Sequence, residues 1–281
     1  MKVAIVGLGL IGGSLGLALK DAGAEVSGYA RRPEVASQAI DRGAADRCTD
    51  NLPSAIRGAE IIVIATPVLA VKDIFIEMAE HVSSGVIVTD VASTKVQVLH
   101  WARLYLPSHT HFIGGHPMAG KEASGIAASD ASLFRSCTYC LVPGENVRAS
   151  SRKKLEEMVK IIGAQPFYLD AVEHDSLMAG ISHLPHLLSV ALVAATVNDP
   201  QWHAMAKLAA SGYRDTTRLA SGEPRMIRDI CLTNKDPIVN AIDTYIGCII
   251  ELRRLVSEGD EKMENYFAQI REARESWLRQ R

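Results

Sequence analysis

His116 sits among glycines and a proline, in Gly114-Gly115-His116-Pro117-Met118-Ala119-Gly120, and is the side chain best suited to move a proton near neutrality. An imidazole titrates near pH ~6.5, which suits it to take a proton from an alcohol while hydride leaves the same carbon. Its glycine and proline neighbours predict a shaped loop rather than a packed core. Ser93, in Asp90-Val-Ala-Ser93-Thr-Lys95, offers a hydroxyl to a reacting oxygen or to a nicotinamide carboxamide, and equally suits the N-cap of a following helix. Gly212-Tyr-Arg214-Asp215-Thr-Thr-Arg218 carries two guanidiniums with an acid between them. The planar fork of arginine matches a carboxylate bidentately, so Arg214 and Arg218 read as a clamp for an anionic substrate. Ser182-His183-Leu-Pro-His186 spaces two histidines at i and i+3, but no third ligand accompanies them and no metal is assigned.

These residues need elements to position them. Val3-Ala-Ile-Val6 reads as a strand, and Gly7-Leu-Gly9-Leu10-Ile11-Gly12 opens a helical pattern ending near Gly23. Strand, glycine loop and helix in that order form the context of a dinucleotide site. Gly7 permits the tight turn, Gly9 lets backbone approach a pyrophosphate, and Gly12 lets helix and strand pack closely. The anion is held by unpaired N–H groups of this turn, where Leu10 and Ile11 lie. Further strands are predicted over 26–29, 61–65, 86–90, 111–114, 139–142 and 166–169, with helices over 33–42, 68–82, 95–105 and 151–162. This alternation predicts an α/β Rossmann-type doubly wound parallel sheet over residues 1–170, with ligands at the carboxyl edge. Thr66, Pro67 and Ser93 fall at that edge as cofactor contacts. Ala30 stands where an acid gripping ribose hydroxyls is expected, and Arg31 and Arg32 follow it. Guanidiniums pair with a 2′-phosphate, so NADP is the favoured cofactor and NAD the alternative. From 171 to 281 only helical patterns occur, which predicts an all-α domain that closes the site and pairs subunits into a homodimer. Within it, 238–255 is apolar enough for a buried helix or an interface.

The 281 residues suit about two domains. With 48% hydrophobic and 22% charged residues the chain is excluded from the disordered class. A net charge of −2 and 5% aromatics leave neither a phosphate-tracking surface nor base-stacking platforms, so no nucleic-acid partner is expected. Cys48, Cys137, Cys140, Cys231 and Cys248 are an odd set that fits reduced thiols in a cytoplasm. The apolar run from Val3 to Leu19 carries glycines at dinucleotide offsets, and no other stretch approaches a membrane span; the expectation is a cytoplasmic protein with no membrane partner.

Taken in order, Gly7-Leu-Gly-Leu-Ile-Gly-Gly-Ser-Leu15, Asp90-Val-Ala-Ser-Thr-Lys95, Gly115-His-Pro-Met-Ala-Gly120, His174-Asp175 with Ser182-His-Leu-Pro-His186, and Arg214-Asp-Thr-Thr-Arg218 resemble the TyrA family, the prephenate and arogenate dehydrogenases. Each motif is weak to moderate alone; the set is specific and spans essentially the whole chain. The resemblance implies oxidative decarboxylation of prephenate or arogenate with hydride transfer to NAD(P)+, in tyrosine biosynthesis. It implies His116 as base for the ring hydroxyl, Ser93 bridging that hydroxyl and the nicotinamide, and Arg218 binding a carboxylate with Arg214 beside it. His183 and His186 would line the same pocket. Lys121 and Glu122 follow the glycine-methionine turn, where the family has a small polar residue and an acid that pairs with Arg218 on closure. No chorismate-mutase-like helix precedes the glycine motif, so the monofunctional form is expected. Ile227 departs from the tryptophan that relatives often carry at the place of a contact from a neighbouring subunit. Two other readings are a two-domain NAD(P) oxidoreductase of the β-hydroxyacid or imino-acid kind, which lacks the His-Pro-Met-Ala-Gly loop, and a non-catalytic NADP-binding sensor.

Overall fold

The computed structural model describes every residue except Glu122, Asp260 and Arg281. Its central strands are buried at every position, as in β4 (Ile61–Ile64) and β5 (Ile87–Asp90), because helices cover both faces of the sheet. Before them come β1 (Lys2–Val6), α1 (Leu10–Asp21), β2 (Glu25–Tyr29), α2 (Pro33–Asp41), β3 (Arg47–Thr49) and α3 (Leu52–Ile56). Next in the chain, α4 (Val68–Met78) lies between β4 and β5, and α5 (Val96–Tyr105) leads to β6 (His111–Pro117). A loop with one 3₁₀ turn then reaches β7 (Thr138–Pro143), α6 (Ala149–Ile161) and β8 (Gln165–Tyr168).

The sheet order is β3-β2-β1-β4-β5-β6-β7-β8, winding outward in both directions from the β1/β4 pair. At such a switch point the strands' carboxyl ends open a ligand crevice. Side chains alternate along β1, sending Val3 and Ile5 into a core with Leu15, Leu19, Phe134 and Met158. Ala4 and Val6 enter the opposite core with Ile62, Phe75, Met78 and Phe112.

Several expectations are corrected here. The sheet is mixed rather than wholly parallel, because β7 runs antiparallel to β6; among the described residues no crossover helix joins the two, and an antiparallel neighbour needs none. Strand β3 and helix α3 fall outside the expected elements, being three and five residues long, too short to show a period. β6 runs on to Pro117, so His116 lies in a buried strand end and not in a loop. Past β8, the expected helix over 171–197 is broken into α7 (Ala171–Met178), a π turn (Ala179–His183) and α8 (Leu184–Val197). By length and apolarity this run, Ala171–Val197, passes as a membrane span, which the sequence reading did not foresee. It carries His174, Asp175, His183 and His186, and the first three are buried. Three more helices follow, α9 (Trp202–Leu208), α10 (Ser211–Thr217) and α11 (Pro224–Thr233), with α11 packed on α4 and α7 on α5.

Met1–Lys235 forms one compact unit and Asp236–Arg281 a second. The second is built from α12 (Lys235–Glu258), whose first residue belongs to the other unit, and α13 (Met263–Arg279). Arg254 bonds Glu251 at 2.8 Å along α12, and Arg279 bonds Glu272 at 2.7 Å along α13. Ile246, Ile249 and Ile250 on α12, and Phe267, Ile270 and Trp277 on α13, are exposed.

Candidate functional site

The loop after β1 is shaped by what glycine lacks. Gly7 has φ +101°, and a Cβ there would stand 2.6 Å from the Ala65 carbonyl oxygen. At Gly12 a Cβ would meet the Gly7 carbonyl oxygen at 1.9 Å, whereas nothing described lies within 4 Å of one at Gly9. The Gly9 approach is therefore open. α1 starts with neither a side-chain cap nor an acid in its first turn, so the N–H groups around Leu10 and Ile11 keep their partial positive charge for an anion. Beside them, buried Thr66 Oγ1 has no partner among the described residues, and exposed Pro67 stands at the N-cap of α4. Open space, uncapped N–H groups and an orphaned hydroxyl together fit the pyrophosphate of a dinucleotide. Ala30 is buried, with its N–H bonded to the Thr49 carbonyl at 3.1 Å. Arg31 and Arg32 beyond it are exposed.

Three strands from β1, β6 delivers His116 to a hydrogen-bonded chain. His116 Nδ1 lies 3.0 Å from His174 Nε2, and His174 Nδ1 lies 2.8 Å from Asp175 Oδ1. A carboxylate only accepts, so His174 donates from Nδ1 and accepts at Nε2. His116 must then carry its proton on Nδ1, which leaves a lone pair on Nε2. Asp175 is held by two more donors, the backbone N–H groups of Lys95 at 2.7 Å and Val96 at 2.9 Å. These belong to the start of α5, which has no cap of its own; the carboxylate from α7 caps it. Burial first, and then the neighbouring charges of His174, Lys95 and His183, hold His116 well below the usual imidazole range. The ring is neutral at physiological pH.

Behind this chain, fully buried Lys95 ion-pairs with Asp90 and donates to the Gly115 carbonyl at 2.7 Å. Asp90 in turn accepts the N–H groups of Gly115 at 3.1 Å and Ala92 at 2.9 Å. The ends of β5 and β6 are thus tied together, with half-buried Ser93 on the loop between the paired charges. Thr94 Oγ1 donates to Thr233 Oγ1 at 2.9 Å, joining the same loop to α11. In the sequence the Asp90–Lys95 segment stands only as a candidate cofactor contact, and His174-Asp175 only as a motif of the family resemblance; none of the four has a role of its own there. The signal was there in two opposite charges flanking a short loop and in an adjacent His-Asp pair, but neither pattern reveals its partner.

The remaining predicted residues divide into two groups. Buried His183 joins the His116 cluster: it is close enough that protonating either ring disfavours protonating the other, and the Ser93 backbone faces its ring. His186 donates from Nδ1 to the Ser182 carbonyl at 3.1 Å, and its Cδ2 would lie 3.5 Å from a Cβ at Gly222. That places the ring against the end of the Arg218–Ser221 turn. Ile227 Cδ1 packs toward the same glycine. Arg218 is exposed at the head of this turn. Arg214 is instead on the solvent face of α10, ion-paired at 3.1 Å with Asp215. Lys121 pairs at 2.8 Å with Asp130, whose backbone N–H bonds Ser14 Oγ on α1. Glu122 lies outside the described residues. Among the described residues no three His, Cys, Asp or Glu side chains are arranged to hold a metal ion.

Comparison with known proteins places this geometry. Residues 15–168 match the family profile described as prephenate dehydrogenase, nucleotide-binding domain, and residues 170–272 match prephenate dehydrogenase, dimerization domain. A prephenate dehydrogenase of Bacillus subtilis is 36% identical over 281 residues, covering 97% of this chain and 75% of the relative. The crystal structure of prephenate dehydrogenase from Aquifex aeolicus in complex with hydroxyphenyl propionate and NAD+ superposes with a TM-score of 0.91 at 28% identity, over 98% of each chain. Synechocystis arogenate dehydrogenase gives a TM-score of 0.86 at 30% identity, over 99% of this chain and 100% of its own.

Proposed function

This chain belongs to the prephenate dehydrogenase family, and on that premise we propose that it oxidatively decarboxylates prephenate or arogenate with NAD(P)+, a step of tyrosine biosynthesis. The observation that carries the reading is the relay that leaves a neutral His116 with its lone pair on Nε2.

When bound, the nicotinamide supplies the acceptor for hydride from the substrate's ring carbon. His116 Nε2 takes the proton of the hydroxyl on that carbon, so oxygen can release electron density as the C–H bond breaks. The C–C bond to the ring carboxylate then breaks, CO₂ leaves, and the bonding pair completes the aromatic ring. His116 returns its proton to the phenol oxygen, so none is lost overall. While His116 carries that proton, His174 and the Asp175 carboxylate behind it stabilise the added charge, as a buried acid does for an imidazolium base. Ser93 orients the hydroxyl, and Arg218 holds a substrate carboxylate by its planar fork. His183 and His186 line the pocket, with Arg214 and Lys121 toward its rim, and Glu122 is assigned to substrate binding by its motif alone.

Gly7, Gly9 and Gly12, with the N–H groups of Leu10 and Ile11, hold the pyrophosphate in this reading, and Thr66, Pro67 and Ser93 flank the nucleotide. Ala30 offers no acid to a ribose 2′-hydroxyl while Arg31 and Arg32 suit a 2′-phosphate, which favours NADP over NAD. Residues 1–170 serve the dinucleotide, and 171–281 serve the substrate and a homodimer contact in the cytoplasm. Exposed Val190 and Val197 on α8 and the apolar side chains of α12 and α13 support such a contact.

Spectrophotometric assay of prephenate and arogenate, each with NAD+ and NADP+, tests the reading. Reduction of NADP+ by at least one of them, faster than of NAD+, is the expected result. Cofactor binding without turnover of either would make the chain a sensor and overturn the assignment.

A further inference from the structure

We infer that Asn234 is a positioning residue that locks His183 with its proton on Nε2, making that ring a hydrogen-bond donor to an acceptor oxygen of the substrate; this rests on the reaction proposed above. Asn234 is buried immediately after α11. Its Nδ2 lies 2.8 Å from the Asp175 carbonyl oxygen and 3.1 Å from His183 Nδ1.

A backbone carbonyl only accepts, so the NH₂ end of the amide faces Asp175 and the orientation of the side chain has one solution. The second hydrogen of that NH₂ group points at His183 Nδ1, which must then be a lone pair. A neutral imidazole carries one proton, and it is left with Nε2. Neutrality follows from burial, which pushes His183 down to about 4 against the opposing pull of Asp175. The other charged or titratable groups facing this ring are His174 on α7 and His186 on α8, both of which lower it further, and His116 on β6. The Ser93 backbone adds an opposing pull.

His183 Nε2 is buried and has no partner among the described residues. An N–H shut away from water without an acceptor is costly, and the cost is recovered when a ligand oxygen arrives. A carbonyl or carboxylate oxygen answers it; an ammonium group, which only donates, does not. Asn234 therefore selects for an acceptor at this point of the substrate while touching no substrate itself.

Long-range ¹H–¹⁵N NMR of the folded chain, with the His183 signal identified by its loss in His183→Gln, reads the tautomer without substrate. The expected form is Nε2–H; an Nδ1–H ring overturns the inference. Kinetics give an independent reading in Asn234→Asp. A carboxylate there draws the proton to Nδ1, so KM should stay near that of the unsubstituted protein at acid pH, where an imidazolium still donates from Nε2. As pH rises KM should climb about tenfold while kcat changes much less. A KM that follows the unsubstituted protein at every pH, in a variant of unchanged circular dichroism, also overturns it. If that variant fails to fold, the tautomer of the unsubstituted protein decides. Absence of turnover with both substrates would sink the reaction and leave the NMR result standing.

Discussion

Both oxygens of Asp175 accept from donors of fixed identity, two backbone N–H groups and His174 Nδ1. The protons along Asp175, His174 and His116 can therefore be arranged in one way only, which suits His116 to accept a proton rather than donate one in the proposed reaction. Replacing His116 by Asn should lower kcat by about 10²–10⁴-fold, with KM within a few-fold. Steady-state kinetics decide it, and a variant with near-normal kcat would remove His116 from the chemistry. Because His116 is held below the ordinary range, kcat/KM should stay flat as pH falls to about 6.5 and drop only beneath it. A limb centred above that value would contradict a buried neutral base. His116 was legible from its residue type and motif. Its burial, its tautomer and its partner were not, since His174 is 58 residues away in the chain.

Among the elements, the ends of β5 and β6 are joined by a buried ion pair rather than by packing alone. Lys95→Met would strand the Asp90 charge in the interior, and the expected loss is about 3–5 kcal/mol, read from urea unfolding. Adding Asp90→Asn should recover a large part of it, because the uncompensated charge disappears; a double variant no better than the single one would contradict this account. Sequence periodicity located β1, β2, β4, β5 and the helices between them to within a few residues, as their apolar runs are long enough to show a pattern. It missed β3 and α3 for shortness. It gave His116 a loop because glycine and proline neighbours mark turns on average, whereas in β6 a Cβ at Gly115 would stand 2.4 Å from the Asp90 carbonyl, so glycine is there for close packing. The π turn that ends at His183 left no local mark either.

For the whole molecule, two histidines buried in neutral form make stability depend on pH. His116 and His183 are both depressed in the folded chain, so below about pH 6.5 the unfolded chain binds protons that the native one refuses. Stability is full above that pH and is lost as pH falls, by up to about 1.4 kcal/mol per pH unit for each histidine. Urea unfolding at about pH 6.5 and about pH 5, a window above most carboxylate titration, should show the loss, and His183→Gln should reduce it. Equal slopes in both proteins would contradict a neutral His183. The dinucleotide loop, the choice of fold and the order of motifs were all readable in the chain itself, since turn sterics, helix and strand periods and residue chemistry act over a few neighbours. Proton positions, the buried Lys95–Asp90 pair, the capping of α5 by a residue 80 positions away and the orientation of His183 were decided only on folding. Desolvation and hydrogen-bond partnership are properties of surroundings, and those surroundings exist only once distant segments have met.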